Sequence, residues 1–371
     1  MVPSPARVLA LGVAVAGAAL VWVNRVEADE SRLLGAGVLL VALAALLTRE
    51  TPRRTRVLEA VATLLLVLAG GECAVRRENT IAASAYAERT MRFVDDPELR
   101  YEMQPGRSCG AGTTNQRGML DVPREPENPA GALRVACLGD SVGGDCSLPA
   151  DNACAALERV LRAARGGRPT EVLNFSVPGY NTLQQARSLE LKAAAFAPDV
   201  VVVLYVVNDP YPDLAISHHL PGKLKFQHLL YNGLRVAAWR LLGPTIDPLG
   251  GQLTRLYENP RAWDGVVVTG FDRIRAAAAI RDLPVAVAVF PLFIEHPLPE
   301  YLAIYPKVVK EAERHGFIGL NLAEEAFHDQ PLAALVKPSR DLIHPNAHAH
   351  QLAAEAIARA LLAARPELAT K

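Results

Sequence analysis

Uncharged apolar runs dominate residues 1–78, and the pattern changes sharply after them. No residue between Arg7 and Asn24 is charged, and the same holds between Arg32 and Arg49. A third apolar stretch, from Val57 to Gly71, is interrupted only by Glu59. Each run is close to the minimum of about 17 residues that a membrane-spanning helix needs. A cleaved signal peptide followed by buried core helices is the competing reading, but three runs joined by short charged connectors fit a bundle of about three transmembrane helices better. Residues 79–130 show no sustained period. Their "DDPELRYEMQPGRSCGAGTTNQRGMLDVPREPENPAG", rich in Pro, Gly and polar residues, predicts an extracytoplasmic stalk that becomes an irregular cover. Over residues 131–371 strands and helices alternate: "LRVACLG", "EVLNFSV", "PDVVVVLYVV" and "VAVAVFPLF" predict strands, whereas "NACAALERVLRAA", "TLQQARSLELKAAAF" and "AHAHQLAAEAIARALLAA" have helical spacing. Valine runs without polar alternation indicate strands covered on both faces, as in a parallel sheet between helix layers. The fold class is therefore α/β, a doubly wound three-layer domain behind an N-terminal membrane region.

Composition and charge sharpen this picture. The chain has 371 residues, half of them hydrophobic, with a formal net charge of zero. It is too apolar for an ordinary soluble domain and too neutral for a nucleic-acid binder. The connector "RETPRRTR" carries Arg49, Arg53, Arg54 and Arg56, and the N-terminus adds Arg7. On the alternate side Arg25 and Arg32 are diluted by Glu27, Asp29 and Glu30, with Arg76 and Arg77 after the third run. This bias places the N-terminus in the cytoplasm, and with three spans the large C-terminal part lies outside; a two-span reading reverses it. The five cysteines (Cys73, Cys109, Cys137, Cys146, Cys154) show no CxxC or Cys/His metal spacing. Cys137 falls inside a strand and reads as a small core residue, while Cys109, Cys146 and Cys154 could supply one disulfide if the domain is exported. Glutamate before Cys73 argues against a lipid-attachment site.

In a doubly wound sheet, ligands bind beyond the carboxyl ends of the strands. Those ends carry Gly139-Asp140-Ser141, Pro178-Gly179-Tyr180-Asn181 and Asn208-Asp209-Pro210, and "DLIHPN" (residues 341–346) precedes the closing helix. A serine hydroxyl needs a base to accept its proton, usually a histidine held in the right tautomer by a carboxylate. Asp341 and His344 are spaced by about one helical turn, and Pro345 suits the start of a helix. The oxyanion of an acyl-transfer intermediate needs donors. The N–H groups of Ser141 and Gly179 with the Asn208 amide would supply them, each contributing about 3 kcal/mol if correctly aimed. Taken alone, Gly-Asp-Ser is an ordinary turn with Asp at a helix N-cap. "GDSVG" also satisfies the Gly-x-Ser-x-Gly elbow, but that fold places several strands before its serine and Ser141 follows the first strand of this domain.

Together, Gly139-Asp140-Ser141, Gly179, Asn208-Asp209 and Asp341-x-x-His344 resemble, in order and spacing, the four blocks of the SGNH (GDSL-type) hydrolase family. The resemblance implies a flavodoxin-like fold and a metal-free esterase or lipase activity, with Ser141 as nucleophile, His344 as base, Asp341 as its orienting acid, and Ser141, Gly179 and Asn208 as oxyanion donors. "TNQRGM" and "VLNFSVPGYNT" further resemble membrane-anchored members found with bacterial exopolysaccharide machinery. Val206 and Ser176 stand where the family often has glycine, an expected change in pocket shape. The expected function is a serine esterase acting on O-acetyl or other short-chain esters of an acylated glycan, a lipid or a small molecule, with no cofactor. It would sit in a bacterial inner membrane with its active site outside. An O-acyltransferase acting on an envelope polysaccharide and an inactive carbohydrate-binding assembly component are the alternatives.

Other histidines offer less. His218-His219 and His348-x-His350 lack the geometry of a metal site, and His296, His315 and His328 read as surface or loop residues. The segment from Tyr211 to Trp263, with the amphipathic "FQHLLYNGLRVAAWRLLG", reads as a helical insertion on the sheet; as a lid it would place Trp239 and Leu241 beside the acyl pocket.

Overall fold

The computed structural model describes residues 90–128, 131–144, 149–212, 252–294, 297–337 and 343–370, all within one compact unit. The apolar stretches of residues 1–78, Cys73, Cys146, His218, His219, Trp239, Leu241, His296 and Asp341 lie outside the described residues. Among the described residues, no helix is long and apolar enough to cross a membrane.

Two small antiparallel ribbons come first, β1 (Met91–Phe93) with β2 (Tyr101–Met103) and β3 (Ser108–Cys109) with β4 (Gly112–Thr113). The cover expected to be irregular thus has strand pairing of its own. The strands are too short to produce a visible alternation in sequence. A parallel five-stranded sheet follows, β5 (Leu133–Gly139), β6 (Thr170–Asn174), β7 (Val200–Tyr205), β8 (Val285–Val289) and β9 (Ile318–Asn321), in the spatial order β6-β5-β7-β8-β9. The first strand lies second in space, the flavodoxin-like order, and the switch point falls at β5.

Every residue of β5, β7 and β8 is buried, which is why their valine runs do not alternate. Val135, Cys137, Val202, Leu204 and Ala286 face α1 (Ala153–Ala164) and the closing helix, packing on Leu157, Leu161, Ile357 and Leu361. On the opposite face lie α2 (Thr182–Leu191), α3 (Thr269–Ala279) and α4 (Ile304–Arg314). There Tyr205 packs on Phe271 of α3, ring centroids 6.2 Å apart. A Cβ at Gly270 would lie 2.8 Å from Thr182 Cγ2, so α3 approaches α2 as closely as glycine alone allows. The chain closes with α5 (Ala347–Ala364). Sequence periodicity missed β9, α3 and α4: β9 is short and half exposed, a π-helical Val run precedes α3, and α4 carries Pro306 in its first turn.

Three sequence expectations are corrected. Cys137 is a buried core residue as expected, but it is also the disulfide partner of Cys154, a pairing the cysteine reading did not include, and it ties β5 to α1. Cys109 is also disulfide-bonded. His315 is buried at the end of α4 rather than at the surface, its Nδ1 2.8 Å from the Glu311 carbonyl and its ring against Phe271. Pro345 precedes the closing helix in a bridge with Val336, and Asn346 caps it.

Candidate active site

The nucleophile turn is built by the end of β5. A Cβ at Gly139 would lie 3.1 Å from Leu204 Cβ and 3.2 Å from Ser176 Oγ, so a side chain there would have to push its neighbours aside. The Asp140 carbonyl accepts from Gly144 N at 2.9 Å, closing one helical turn with Ser141 at its start. Fully buried Asp140 accepts from Val142 N at 2.9 Å through Oδ1. Its Oδ2 accepts from Asn208 Nδ2 at 3.0 Å and from Ser141 Oγ at 3.3 Å. The turn reading and the chemical reading of Gly-Asp-Ser therefore coexist, because one carboxylate caps the turn and holds the amide and hydroxyl beside it.

His344 comes from the other end of the chain. Asn346 anchors its segment, accepting from Ala349 N at 3.0 Å as the α5 cap and donating to the Ala334 carbonyl at 2.8 Å. Lys337 N donates to the His344 carbonyl at 3.1 Å. Held from both sides, the imidazole places Nε2 2.8 Å from Ser141 Oγ, across 203 residues of sequence.

Gly179 occupies a tight turn after β6, in which Tyr180 N donates to the Val177 carbonyl at 3.0 Å. Pro178 at the second position and Gly179 with φ +81° at the third are the signature of a type II turn, which a side-chain-bearing residue would strain. Pro178 touches the nucleophile turn: a Cβ at Gly144 would lie 3.1 Å from Pro178 Cδ. Asn181, two residues on, caps α2 with a complete capping box, so helix and turn are set by the same residues. Among the described residues, the N–H groups of Ser141 and Gly179 donate to no protein acceptor.

Burial pushes the Asp140 carboxyl above the usual range, opposed by the Val142 N–H, the Asn208 amide, His344 and Ser141. Burial, and then the Asp140 charge beside it, pushes Asp209 well above that range, although Gln185 Nε2 donates to it at 3.0 Å. The two residues that stand in place of the family's glycines have different surroundings, and Ser176 lines a cavity beside β6. Val206 is buried in the core shared with α1 and α5. Buried Ser176 packs beneath the nucleophile turn, its Cβ 2.8 Å from where a Gly143 Cβ would be. That cavity, of about 410 Å³, is lined also by Glu102, Arg117, Phe175, Lys192 and Phe196 among others; neither Ser141 nor His344 lines it.

Four of the five expected site residues thus stand at the carboxyl edge of the sheet, with Ser141 bonded to His344 and Asn208 joined to the same turn through Asp140. Asp341 lies outside the described residues. Sequence reasoning did not assign Asp140 or Asp209 a part in this network, although both stand next to residues it singled out.

The described domain is thus a parallel α/β sheet of flavodoxin-like strand order with a histidine-bonded serine at its switch point. The chain belongs to the GDSL-like Lipase/Acylhydrolase family, which it matches over residues 137–352, and is a hydrolase acting on ester bonds. Among solved structures it is similar to LAE5, an alpha/beta hydrolase enzyme from the metagenome of Lake Arreo, Spain, at 19% identity over 64% of this chain and 97% of that chain, TM-score 0.40. It is also similar to Axe2, an acetylxylan esterase of Geobacillus stearothermophilus, at 15% identity over 63% and 96%, TM-score 0.39. The psychrotrophic esterase EstA of Pseudoalteromonas sp. aligns at 12% identity over 62% and 96%, TM-score 0.38. No curated protein matches.

Proposed function

We propose that this chain is a serine esterase that removes O-acetyl or other short-chain acyl groups from an envelope glycan. The observation that carries the reading is the 2.8 Å contact between His344 Nε2 and Ser141 Oγ, the distance at which a general base takes a proton. In this mechanism Ser141 Oγ attacks the ester carbonyl carbon as its proton passes to His344 Nε2. Negative charge collects on the carbonyl oxygen, where the N–H groups of Ser141 and Gly179 and the second N–H of the Asn208 amide receive it; the first is given to Asp140. His344 then protonates the departing alkoxide, leaving an acyl-serine. Water, deprotonated by the same imidazole, attacks this ester, and the carboxylic acid leaves as His344 returns the proton to Ser141, the acid then ionising in solvent. Asp341 is assigned to orient and stabilise the imidazolium. The three apolar stretches of residues 1–78 would anchor the enzyme in a bacterial inner membrane. An outward-facing active site is supported by the arginine bias between those stretches and by the Cys137–Cys154 disulfide, a bond characteristic of oxidising compartments.

Ser141→Ala in the full-length chain tests the reading. It should abolish labelling by a fluorophosphonate probe and lower acetate release from 4-nitrophenyl acetate and from an O-acetylated glycan by more than about 10³-fold. Labelling that persists in the alanine variant removes Ser141 from the mechanism. Aryl ester cleavage without release of acetate from any glycan removes the substrate assignment and leaves the esterase.

A further inference from the structure

The Gly179 N–H belongs to the central peptide of its turn, the unit that also carries the Pro178 carbonyl. In a tight turn this peptide has one soft motion: it can flip, interconverting type I and type II geometries and reversing both groups together. Glycine at the third position tolerates either state. Pro178 and Gly179 favour the type II state, and how firmly the N–H is held in it depends on a restraint from outside the turn.

The restraint comes from the cover. Tyr101, in β2, donates its hydroxyl to the Pro178 carbonyl at 3.0 Å. Tyr180, on the other side of Gly179, donates its own hydroxyl to the Tyr101 carbonyl at 2.5 Å. The two rings meet edge to face with centroids 5.3 Å apart, and both residues are about 1% exposed. The ribbon is itself anchored to the domain: Gln184 Nε2 donates to the Leu99 carbonyl at 3.0 Å, Arg187 binds Asp96 at 2.9 Å, and Arg273 binds Glu98 at 2.7 Å. All of these ribbon residues precede residue 137, where the family match begins.

We infer that Tyr101 is a positioning residue of the oxyanion hole: by holding the Pro178 carbonyl it fixes the central peptide of the turn and aims the Gly179 N–H at the reacting ester. This rests on the proposed donor role of Gly179. The cover is then part of the catalytic apparatus although it touches no substrate.

Tyr101→Phe in the full-length chain removes only the hydroxyl and keeps the ring contact and the carbonyl that Tyr180 uses. With active sites counted by fluorophosphonate titration, kcat for 4-nitrophenyl acetate should fall about tenfold with KM within about twofold, part of the loss expected for one oxyanion donor. Inhibition by phenylboronic acid, whose serine adduct carries a charged oxygen in the same hole, should weaken by the same factor. Tyr205→Phe serves as the comparison. It deletes an equally buried hydroxyl, paired with Tyr257 at 3.0 Å, and should leave kcat within about twofold. Wild-type kcat in Tyr101→Phe, or equal losses in the two variants, overturns the inference while leaving the esterase reading intact. Activity surviving in Ser141→Ala overturns both.

Discussion

Asp209 carries no chemistry in the proposed mechanism, yet its surroundings give the domain a pH dependence. In the unfolded chain it titrates in the ordinary carboxylate range; in the fold, burial and the Asp140 charge push it well above. Between those two values the folded state holds more protons than the unfolded one, so stability falls as pH rises. The contribution is complete below the unfolded pKa and is lost as pH climbs through the folded one. Asp209→Asn keeps an acceptor for Gln185 but cannot ionise. Its thermal midpoint should therefore decline less than that of the wild type between about pH 5 and pH 9, with Asp140 supplying what slope remains. Identical slopes would show that Asp209 does not titrate as its burial demands. At this scale Ser141, Gly179, Asn208 and His344 could be singled out because each stands at a strand or helix end and because their four blocks, in order and spacing, resemble those of the family. Tyr101 was not, since one tyrosine in a Pro/Gly-rich segment has no periodic or chemical signature.

Elements set the site through their ends. Three asparagines cap the helices that flank it: Asn152 starts α1, Asn181 starts α2 two residues after Gly179, and Asn346 starts α5 two residues after His344. Asn181 is the most informative to change, because its Oδ1 accepts from Gln184 N at 3.0 Å and Gln184 Oε1 accepts from Asn181 N at 3.1 Å. Asn181→Ala should lower the unfolding free energy by about 1 kcal/mol, and Asn181→Ser should recover most of it. Urea denaturation of the three proteins measures this; indistinguishable midpoints for alanine and asparagine would mean the box contributes nothing. The strands of the sheet centre were readable because burial on both faces leaves uninterrupted valine. β9 and α4 were not, since a four-residue half-exposed strand and a helix holding Pro306 both break the patterns by which such elements are recognised.

At the scale of the whole molecule, a buried cation adds a further tie between the cover and the sheet. Arg134 in β5 is about 1% exposed and donates to the carbonyls of Glu125, Pro126, Glu127 and Phe196 at 2.9, 2.5, 2.5 and 3.0 Å. Glu171 supplies its counter-charge at 2.7 Å. Arg134→Met fills similar space but strands those carbonyls, and should cost about 3 kcal/mol or more in urea unfolding. A cost below about 1 kcal/mol would mean that the carbonyls find other donors. By itself the amino-acid order determined the α/β class, the parallel sheet centre and the residues able to carry ester chemistry, because burial and reactivity are properties of residue type and short-range spacing. Only the tertiary structure decided the geometry in which groups meet. The Ser141–His344 pairing was expected from the four-block resemblance and the fold supplies its geometry, whereas the pairing of Cys137 with Cys154 and the hold of Tyr101 on the Pro178 carbonyl are long-range contacts chosen by packing of the domain, and no local pattern encodes them.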